Sequence, residues 1–154
     1  MLNIAKIITY DLWDADTGEA TVVAEFNEDK QLRASSLEVF EKDSEHEIIL
    51  SLFCESMEVS EEIFDFVIQN LDEHHRVLAQ GLIIDFTSDN IHGDLITIDV
   101  GNIYVDVYLT PEYIEELQPK VGKYFKGIGR LDLELPNIIV NKPNDNKIID
   151  FDDF

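Results

Sequence analysis

The chain has 154 residues, which suits one domain, and its 45% hydrophobic and 29% charged residues are typical of a folded globular protein. Its 33 acidic residues outnumber 11 basic ones, for a formal charge of −22, and the single cysteine excludes an intramolecular disulfide framework. No apolar run approaches the ~20 residues of a membrane span, and the first ten residues lack the apolar core of a secretory signal, so we expect a soluble, cytoplasmic protein.

Strand patterns dominate the first third of the chain. Polar turns separate them, the first of which contains Asp14, Asp16, Thr17 and Gly18. In the fourth strand Cys54 shares a face with three apolar residues, which predicts a core position for its thiol. The four predicted strands are Leu2–Tyr10, Thr21–Phe26, Gln31–Glu41 and Glu47–Glu55.

The apolar period changes after Ser60. Ile63, Phe64, Val67, Ile68 and Leu71 recur at helical spacing, and Ser60 is a suitable N-cap residue. The pattern predicts a short helix over Glu61–Glu73, followed by His74 and His75 at its negative end.

The second half begins with a long strand, Arg76–Phe86, and a well-defined hairpin. Gly101-Asn102 is a two-residue turn signal between Asp94–Val100 and Ile103–Leu109. A two-residue loop pairs Val100 with Ile103, Ile98 with Val105 and Ile96 with Val107, so that all six apolar side chains share one face. The same register places Asp99, Tyr104, Thr97 and Asp106 on the opposite face.

A second short helix and a last strand follow. Thr110 is the predicted cap of a helix over Pro111–Leu117, with Pro111 at its first position. Lys123–Leu135 then returns to the alternating pattern, and Gly127 and Gly129 within it indicate a bulge or a barrel corner. A further short strand is expected at Asn137–Val140.

These elements predict a mainly β fold. We expect a single domain over residues 1–147, built as an OB-like or related antiparallel barrel with two short helices, and an acidic aromatic tail over residues 148–154. The sequence shows no internal repeat. It leaves open whether residues 1–55 share one barrel with the C-terminal half, and whether the tail is docked or free.

The negative charge is confined to the first three-quarters of the chain. Residues 1–119 carry 27 acids and 5 bases, whereas residues 120–154 carry 6 of each. The densest stretch, Glu38–Glu73, contains 12 acids and one base, Lys42. Such a surface repels polyanions and attracts cationic proteins, although acidity also serves solubility alone. The predicted partner-binding residues are Glu58, Glu61, Glu62, Asp65, Asp72 and Glu73.

The motifs for chemistry are weak. Asp14 and Asp16 resemble the start of a calcium loop, but Glu19 stands where such a loop requires glycine, so a hairpin turn is favoured. His74 and His75 are sequence neighbours and make a poor chelate without a third ligand. No nucleophile elbow or phosphate-binding loop is present. We therefore predict no cofactor, no metal and no enzymatic activity. The sequence leaves open whether a metal binds at Asp14/Asp16 or His74/His75, and a small metal-dependent hydrolase is a third class of function.

One resemblance points to a different partner. Residues Leu117–Leu131, LQPKVGKYFKGIGRL, resemble a segment of the single-stranded-DNA-binding OB-fold proteins, and the strand order over residues 76–135 suits an OB layout. The ending Asp150-Phe151-Asp152-Asp153-Phe154 resembles the acidic, Phe-terminated tail of that family, which docks on replication and repair enzymes. The resemblance implies a nucleic-acid face formed by Tyr104, Tyr108, Lys123, Phe125, Lys126 and Arg130.

Charge decides which of the two functions is preferred. Asp99 and Asp106 share a face with the two tyrosines, and a net charge of −22 opposes polyanion binding at physiological salt. We therefore predict a non-enzymatic acidic module that engages a basic protein, as immunity proteins, anti-defence inhibitors and nucleic-acid mimics do. The alternative is an OB-type nucleic-acid-associated protein whose tail recruits partners.

Overall fold

The described residues of the computed structural model, 1–27, 30–89 and 93–136, form nine strands and one helix. The predicted mainly β, OB-like fold is confirmed. No helix in this part of the chain is long and apolar enough to cross a membrane. In chain order the elements are β1 (Asn3–Asp14), β2 (Glu19–Phe26), β3 (Lys30–Ser36), β4 (Glu45–Ser60), β5 (Val67–Asn70), β6 (Arg76–Asp89), β7 (Gly93–Asp99), β8 (Tyr104–Leu109), α1 (Pro111–Leu117) and β9 (Tyr124–Glu134).

Strand pairing closes the sheet into two five-stranded rings that share β4 and β9. The first ring runs β1-β2-β3-β9-β4 and back to β1, and the second runs β6-β7-β8-β4-β9 and back to β6. Each ring has a single parallel contact, β3 with β9 in the first and β4 with β8 in the second. The strands of residues 76–135 therefore form an OB-like ring only with β4, which comes from outside that range.

The pairing pattern has an approximate two-fold symmetry that exchanges the two rings. The centre of this symmetry is the pair Leu52 and Leu131, which face each other across β4 and β9. In the first ring the backbone of Ile7 donates to the Ser44 carbonyl at 2.9 Å and accepts from the Asp43 N–H at 2.7 Å. In the second ring Ile83 makes the corresponding bonds to Lys123 and Gly122, both at 2.9 Å. The repeat is thus one of backbone hydrogen bonding, without a matching sequence repeat.

Two asparagine side chains connect strands that are not neighbours in the sheet, β1 with β8 and β5 with β3. Asn3 donates to the carbonyl of Tyr104 at 2.8 Å and accepts from its N–H at 2.7 Å. Asn70 makes the same pair of bonds to the backbone of Arg33, at 2.9 and 2.8 Å. Each amide therefore imitates a strand residue and satisfies backbone groups of β8 or β3 that strand pairing leaves open.

The hairpin of β7 and β8 has the predicted register. Ile98 pairs with Val105 and Ile96 with Val107, and all four side chains are fully buried. The Val100 N–H donates to the Ile103 carbonyl at 2.9 Å, which closes the two-residue turn. Helix α1 is also confirmed at its predicted bounds, with the Thr110 hydroxyl accepting from the Tyr113 N–H at 3.3 Å.

The predicted helix over Glu61–Glu73 is wrong. Strand β4 continues to Ser60, residues 61–66 are irregular, and β5 follows. Of the apolar stripe only Ile68 is buried, whereas Ile63 is 78% exposed. The Ser60 hydroxyl accepts from the Glu62 N–H at 3.0 Å, so the predicted cap forms a turn instead. Pairing of β5 with β6 outweighed the local helical pattern.

Smaller differences concern strand ends and the bulge. Strand β3 ends at Ser36, which leaves Leu37 and Val39 exposed in a connection where Phe40 is buried instead. The first and fourth strands extend beyond their predicted ends, to Asp14 and Ser60. The predicted bulge lies opposite Gly129, in β4, where the register shifts between Cys54 and Ser56. The strand expected at Asn137–Val140 and the tail lie outside the described residues.

Candidate functional site

The connection between β4 and β5, which we call the acidic loop (residues 61–66), holds three of the predicted partner-binding carboxylates. Glu61, Glu62 and Asp65 are all exposed. Two apolar side chains lie among them, Ile63 at 78% and Phe66 at 44% exposure. The loop thus combines negative charge with accessible apolar surface.

The acidic loop is held in place by the second ring. Phe64 and Phe66 each lie 6.4 Å, centroid to centroid, from the ring of Tyr124. The Gln80 side chain donates to the Asp65 carbonyl at 2.9 Å. These contacts give the loop a defined shape although it has no regular secondary structure.

The structure divides the six predicted acids into two groups. Glu58, near the end of β4, and the three carboxylates of the acidic loop lie at one end of β5. Asp72 and Glu73 follow the other end of β5, where Asp72 accepts from the His74 N–H at 2.9 Å. That bond is the main reason that the pKa of Asp72 is below its ordinary value. The second group therefore belongs to a different surface.

Asp72 and Glu73 border two adjoining clefts that share His74 and His75 as lining residues. The tryptophan cleft, about 720 Å³, lies on the outer face of β1, β2 and β3 and contains Trp13 and Arg33. The arginine cleft, about 380 Å³, contains Arg76 and Arg130 together with Glu55 and Asp72. All three arginines of this acidic sequence therefore line the two clefts.

Two of the arginines are oriented by carboxylates. Arg76 binds Glu55 through Nε and Nη2, with a shortest distance of 2.6 Å, and this hydrogen bond lowers the pKa of Glu55. Arg130 binds Asp132 through Nε at 2.8 Å and Nη2 at 3.0 Å. Burial nevertheless raises the pKa of Asp132, against the opposing effect of Arg130. These are the two ion pairs between described residues.

The predicted nucleic-acid face is assembled only in part. Phe125 is fully buried in the core, so its predicted place on a ligand face is wrong. Its position follows from alternation along β9, which points residues 125, 127 and 129 inward and Lys126 and Arg130 outward. Tyr104 is half-buried at the start of β8, opposite Asp99, and Lys123 lies just before β9.

Phe53 joins two of the predicted residues. Its ring stacks on Tyr108, with centroids 5.4 Å apart and planes 7° from parallel, and the Arg130 guanidinium lies 5.2 Å from its centroid. Phe53 is not among the residues predicted from the sequence, although its alternation with Leu52 and Cys54 along β4 places it on the outer face.

The predicted calcium-like motif at Asp14 forms a turn. Asp14 Oδ1 accepts from the Asp16 and Thr17 N–H groups, at 3.0 and 3.4 Å, as a hairpin turn requires. No group of three or more metal-ligating side chains occurs among residues 1–27, 30–89 and 93–136. Cys54 packs against the core, and burial raises its pKa to about 12, which opposes a role as a reactive thiolate.

Comparison with known proteins adds little to this geometry. No protein-family model matches the chain, and no curated protein matches it significantly in sequence. Among solved structures, the cytoplasmic molybdate-binding protein ModG, in a crystal form with molybdate bound, is similar at 11% identity and a TM-score of 0.47. That alignment covers 88% of this chain and 96% of ModG.

Proposed function

We propose that this protein is a non-enzymatic acidic module that engages a basic protein partner through the acidic loop, as an inhibitor of the immunity, anti-defence or nucleic-acid-mimic type. The observation that carries the proposal is the exposed pair Ile63 and Phe66 among the carboxylates of residues 61–66. Apolar anchors within a charged rim are typical of binding hot spots. The carboxylates would steer a cationic surface toward those anchors.

Order in the acidic loop supports the same function. Tyr124 and Gln80 fix the loop against the second ring, so binding would not require the loop to order first. The carboxylates of Glu61, Glu62 and Asp65 have no ion pair to another described residue and are available to a partner.

The test compares two sets of charge reversals. Glu61→Lys, Glu62→Lys and Asp65→Lys alter the acidic loop, and Glu112→Lys, Glu115→Lys and Glu116→Lys make the same change in net charge on α1. Tagged proteins are used to capture ligands from host lysate at low and near-physiological salt. We expect one basic protein to be retained by the wild type and the α1 variant and lost by the loop variant.

Titration with the captured partner then measures the effect. The loop variant is expected to bind at least about tenfold more weakly, since several like charges would face the partner. Ile63→Ser, which keeps the charge, is expected to increase the dissociation rate. Equal losses in the loop and α1 variants would contradict the proposed site, because they would show a response to net charge alone.

A second candidate function, nucleic-acid binding, is favoured by the Tyr108–Phe53–Arg130 stack. Phe53 is 43% exposed, and single-stranded bases stack on aromatic and guanidinium planes. Filter binding of a single-stranded oligonucleotide tests it. Micromolar binding that is lost in Phe53→Ala and retained in Phe86→Ala, an exposed phenylalanine on β6, would support this candidate. Absence of binding by the wild type would exclude it.

A further inference from the structure

The two clefts that meet at His74 and His75 are lined by all three arginines of the sequence and by four carboxylates, those of Asp11, Glu55, Asp72 and Glu73. Arg76 and Arg130 are direct partners across β6 and β9. Like charges at such positions destabilise a sheet unless they are compensated. Here Glu55 and Asp132 compensate them, one for each arginine. The sheet thus keeps two guanidinium groups side by side.

Each of the two arginines also keeps N–H donors that its carboxylate partner does not bind. Glu55 and Asp132 engage only the Nε and Nη2 groups of their arginines. A guanidinium has five N–H donors, so each arginine keeps three. Arg130 is additionally held against the ring of Phe53. Both arginines are therefore oriented while still able to bind an anion, a combination suited to phosphate recognition.

The loop that carries the histidines is fixed at both ends. The Leu71 N–H donates to the Arg76 carbonyl at 2.8 Å, and the Leu131 N–H donates to the His75 carbonyl at 2.9 Å. The side chain of Asn70, the residue before Leu71, makes two hydrogen bonds to the backbone of Arg33. His74 and His75 thus stand between the clefts on a pre-organised loop, and both are able to donate hydrogen bonds.

The tryptophan cleft offers a different chemistry. Trp13, 54% exposed, lines it on one face of β1, and Thr9 and Thr21 add hydroxyl groups. Arg33 lines the same cleft and has no ion pair among the described residues. Asp11 and Glu73 also line it and would disfavour a ligand that is anionic throughout. A flat, uncharged ring suits this cleft, because it can pack on the indole and accept hydrogen bonds from the hydroxyl groups.

We propose that the adjoining clefts form one binding site for a small phosphate monoester that carries a flat ring. Its phosphate lies in the arginine cleft, between Arg76, Arg130 and the two histidines. Its ring lies against Trp13. The volumes of about 380 and 720 Å³ exceed what one phosphate ion fills and fall in the range of ligand pockets.

The sequence provides a direct readout, because Trp13 is its single tryptophan. Wild-type fluorescence is titrated with adenosine monophosphate, ribose 5-phosphate, adenosine and inorganic phosphate, and calorimetry repeats each titration. We expect adenosine monophosphate to quench the fluorescence with a dissociation constant below about 1 mM. Ribose 5-phosphate should bind more weakly, and adenosine at least about tenfold more weakly, since charge-assisted bonds to the phosphate are lost.

Matched variants locate the site. Arg130→Gln and Lys126→Gln each remove one positive charge from the outer face of β9, and Arg76→Lys keeps the charge while losing the guanidinium fork. We expect Arg130→Gln to weaken binding of adenosine monophosphate about tenfold or more, Arg76→Lys to weaken it less, and Lys126→Gln to leave it within about twofold. Thermal unfolding of each variant checks that it is folded.

Three results would overturn the proposal. The first is no quenching and no heat with adenosine monophosphate at millimolar concentration. The second is adenosine binding as tightly as its monophosphate, which would show that the phosphate makes no contact. The third is an equal effect of Arg130→Gln and Lys126→Gln, which would place the phosphate elsewhere or show a response to net charge only.

Discussion

The two rings use one backbone plan with different connections. In the first ring residues 37–44 join β3 to β4 without regular structure, and Phe40 fills the space beneath them. In the second ring α1 makes the same crossing, and Pro119 is buried at its end. Both crossings end on a residue with positive φ, Asp43 at 66° and Gly122 at 97°. Ring closure therefore constrains the last turn before the shared strand and tolerates variation before it.

The rings also differ in charge where they share β9. The part of β9 that pairs with β6 carries Lys126 and Arg130, whereas the part next to β3 carries Asp132 and Glu134. One strand thus presents a cationic surface to the second ring and an acidic surface to the first. The candidate phosphate site lies beside the cationic part.

The largest effect is expected where the two rings share β4 and β9. Leu52→Ala and Leu131→Ala should each lower the free energy of unfolding by about 3–5 kcal/mol, because both side chains are fully buried. Since the two residues face each other, each substitution opens a cavity in the same place, and the two losses should agree within about 1 kcal/mol. Chemical denaturation measures both. A clear inequality would mean that the two rings depend unequally on the shared pair.

The next test concerns the close approach of β4 and β9. A Cβ on Gly129 would lie 2.1 Å from the Phe53 carbonyl oxygen, so Gly129→Ala must separate the shared strands. We expect a loss of about 3 kcal/mol or more, and faster hydrogen exchange in both rings. Gly122→Ala is the control, because no atom beyond its chain neighbours lies within 4 Å of the added Cβ, and only the positive φ destabilises the variant, by about 1–2 kcal/mol. Exchange that rises in one ring alone would show that the rings unfold separately.

A smaller effect is expected at Asn3 and Asn70, which connect strands that are not neighbours in the sheet. Asn3→Ala and Asn70→Ala each remove two hydrogen bonds to a neighbouring backbone, at about 0.5–1.5 kcal/mol per bond. Asn3 is buried and Asn70 is only half-buried, so the loss should be larger for Asn3. Hydrogen exchange should increase at the Tyr104 N–H in the first variant and at the Arg33 N–H in the second. The reverse assignment would refute the proposed role of these amides.

The smallest effect is a dependence on pH. Burial raises the pKa of Asp132 and of Glu134. The folded state holds these protons more tightly than the unfolded chain does, so their contribution to stability is full below the ordinary carboxyl pKa and is lost as pH rises through the folded-state pKa. The denaturation midpoint should therefore decrease as the pH rises above the ordinary carboxyl pKa values of 3.8 and 4.5, and it should decrease less in Asp132→Asn/Glu134→Gln. Glu112→Gln/Glu115→Gln on exposed α1 serves as the control, and an equal change in both variants would contradict the assignment.

Local patterns in the sequence predicted the second ring well. The β7–β8 register and the bounds of α1 follow from alternation, a Gly-Asn turn and a Thr-Pro cap, which are all local signals. The pattern failed at residues 61–73, where helical spacing was genuine but pairing of β5 with β6 decided the structure. It also missed the repeat, because the repeat consists of backbone bonds such as those of Ile7 and Ile83.

The candidate sites were less predictable, because they also depend on contacts between residues that are far apart in the sequence. Arg33, Arg76 and Arg130 are 43 and 54 residues apart in the sequence, and only ring closure brings them to adjoining clefts. The sequence predicts a charged surface at the acidic loop, but it places Ile63 on the apolar face of a helix and assigns no role to Phe66. Because that helix is absent, Ile63 is exposed.

The shared strands also determine how the chain can be divided. A cut within the acidic loop would leave β1–β4 in one fragment and β5–β9 in the other, so that each fragment holds four strands of its own ring and the fifth strand of the other. Neither fragment contains a complete ring, and each supplies what the other lacks. We therefore expect the two fragments to fold only when they are mixed, so that folding of either fragment would report the presence of the other.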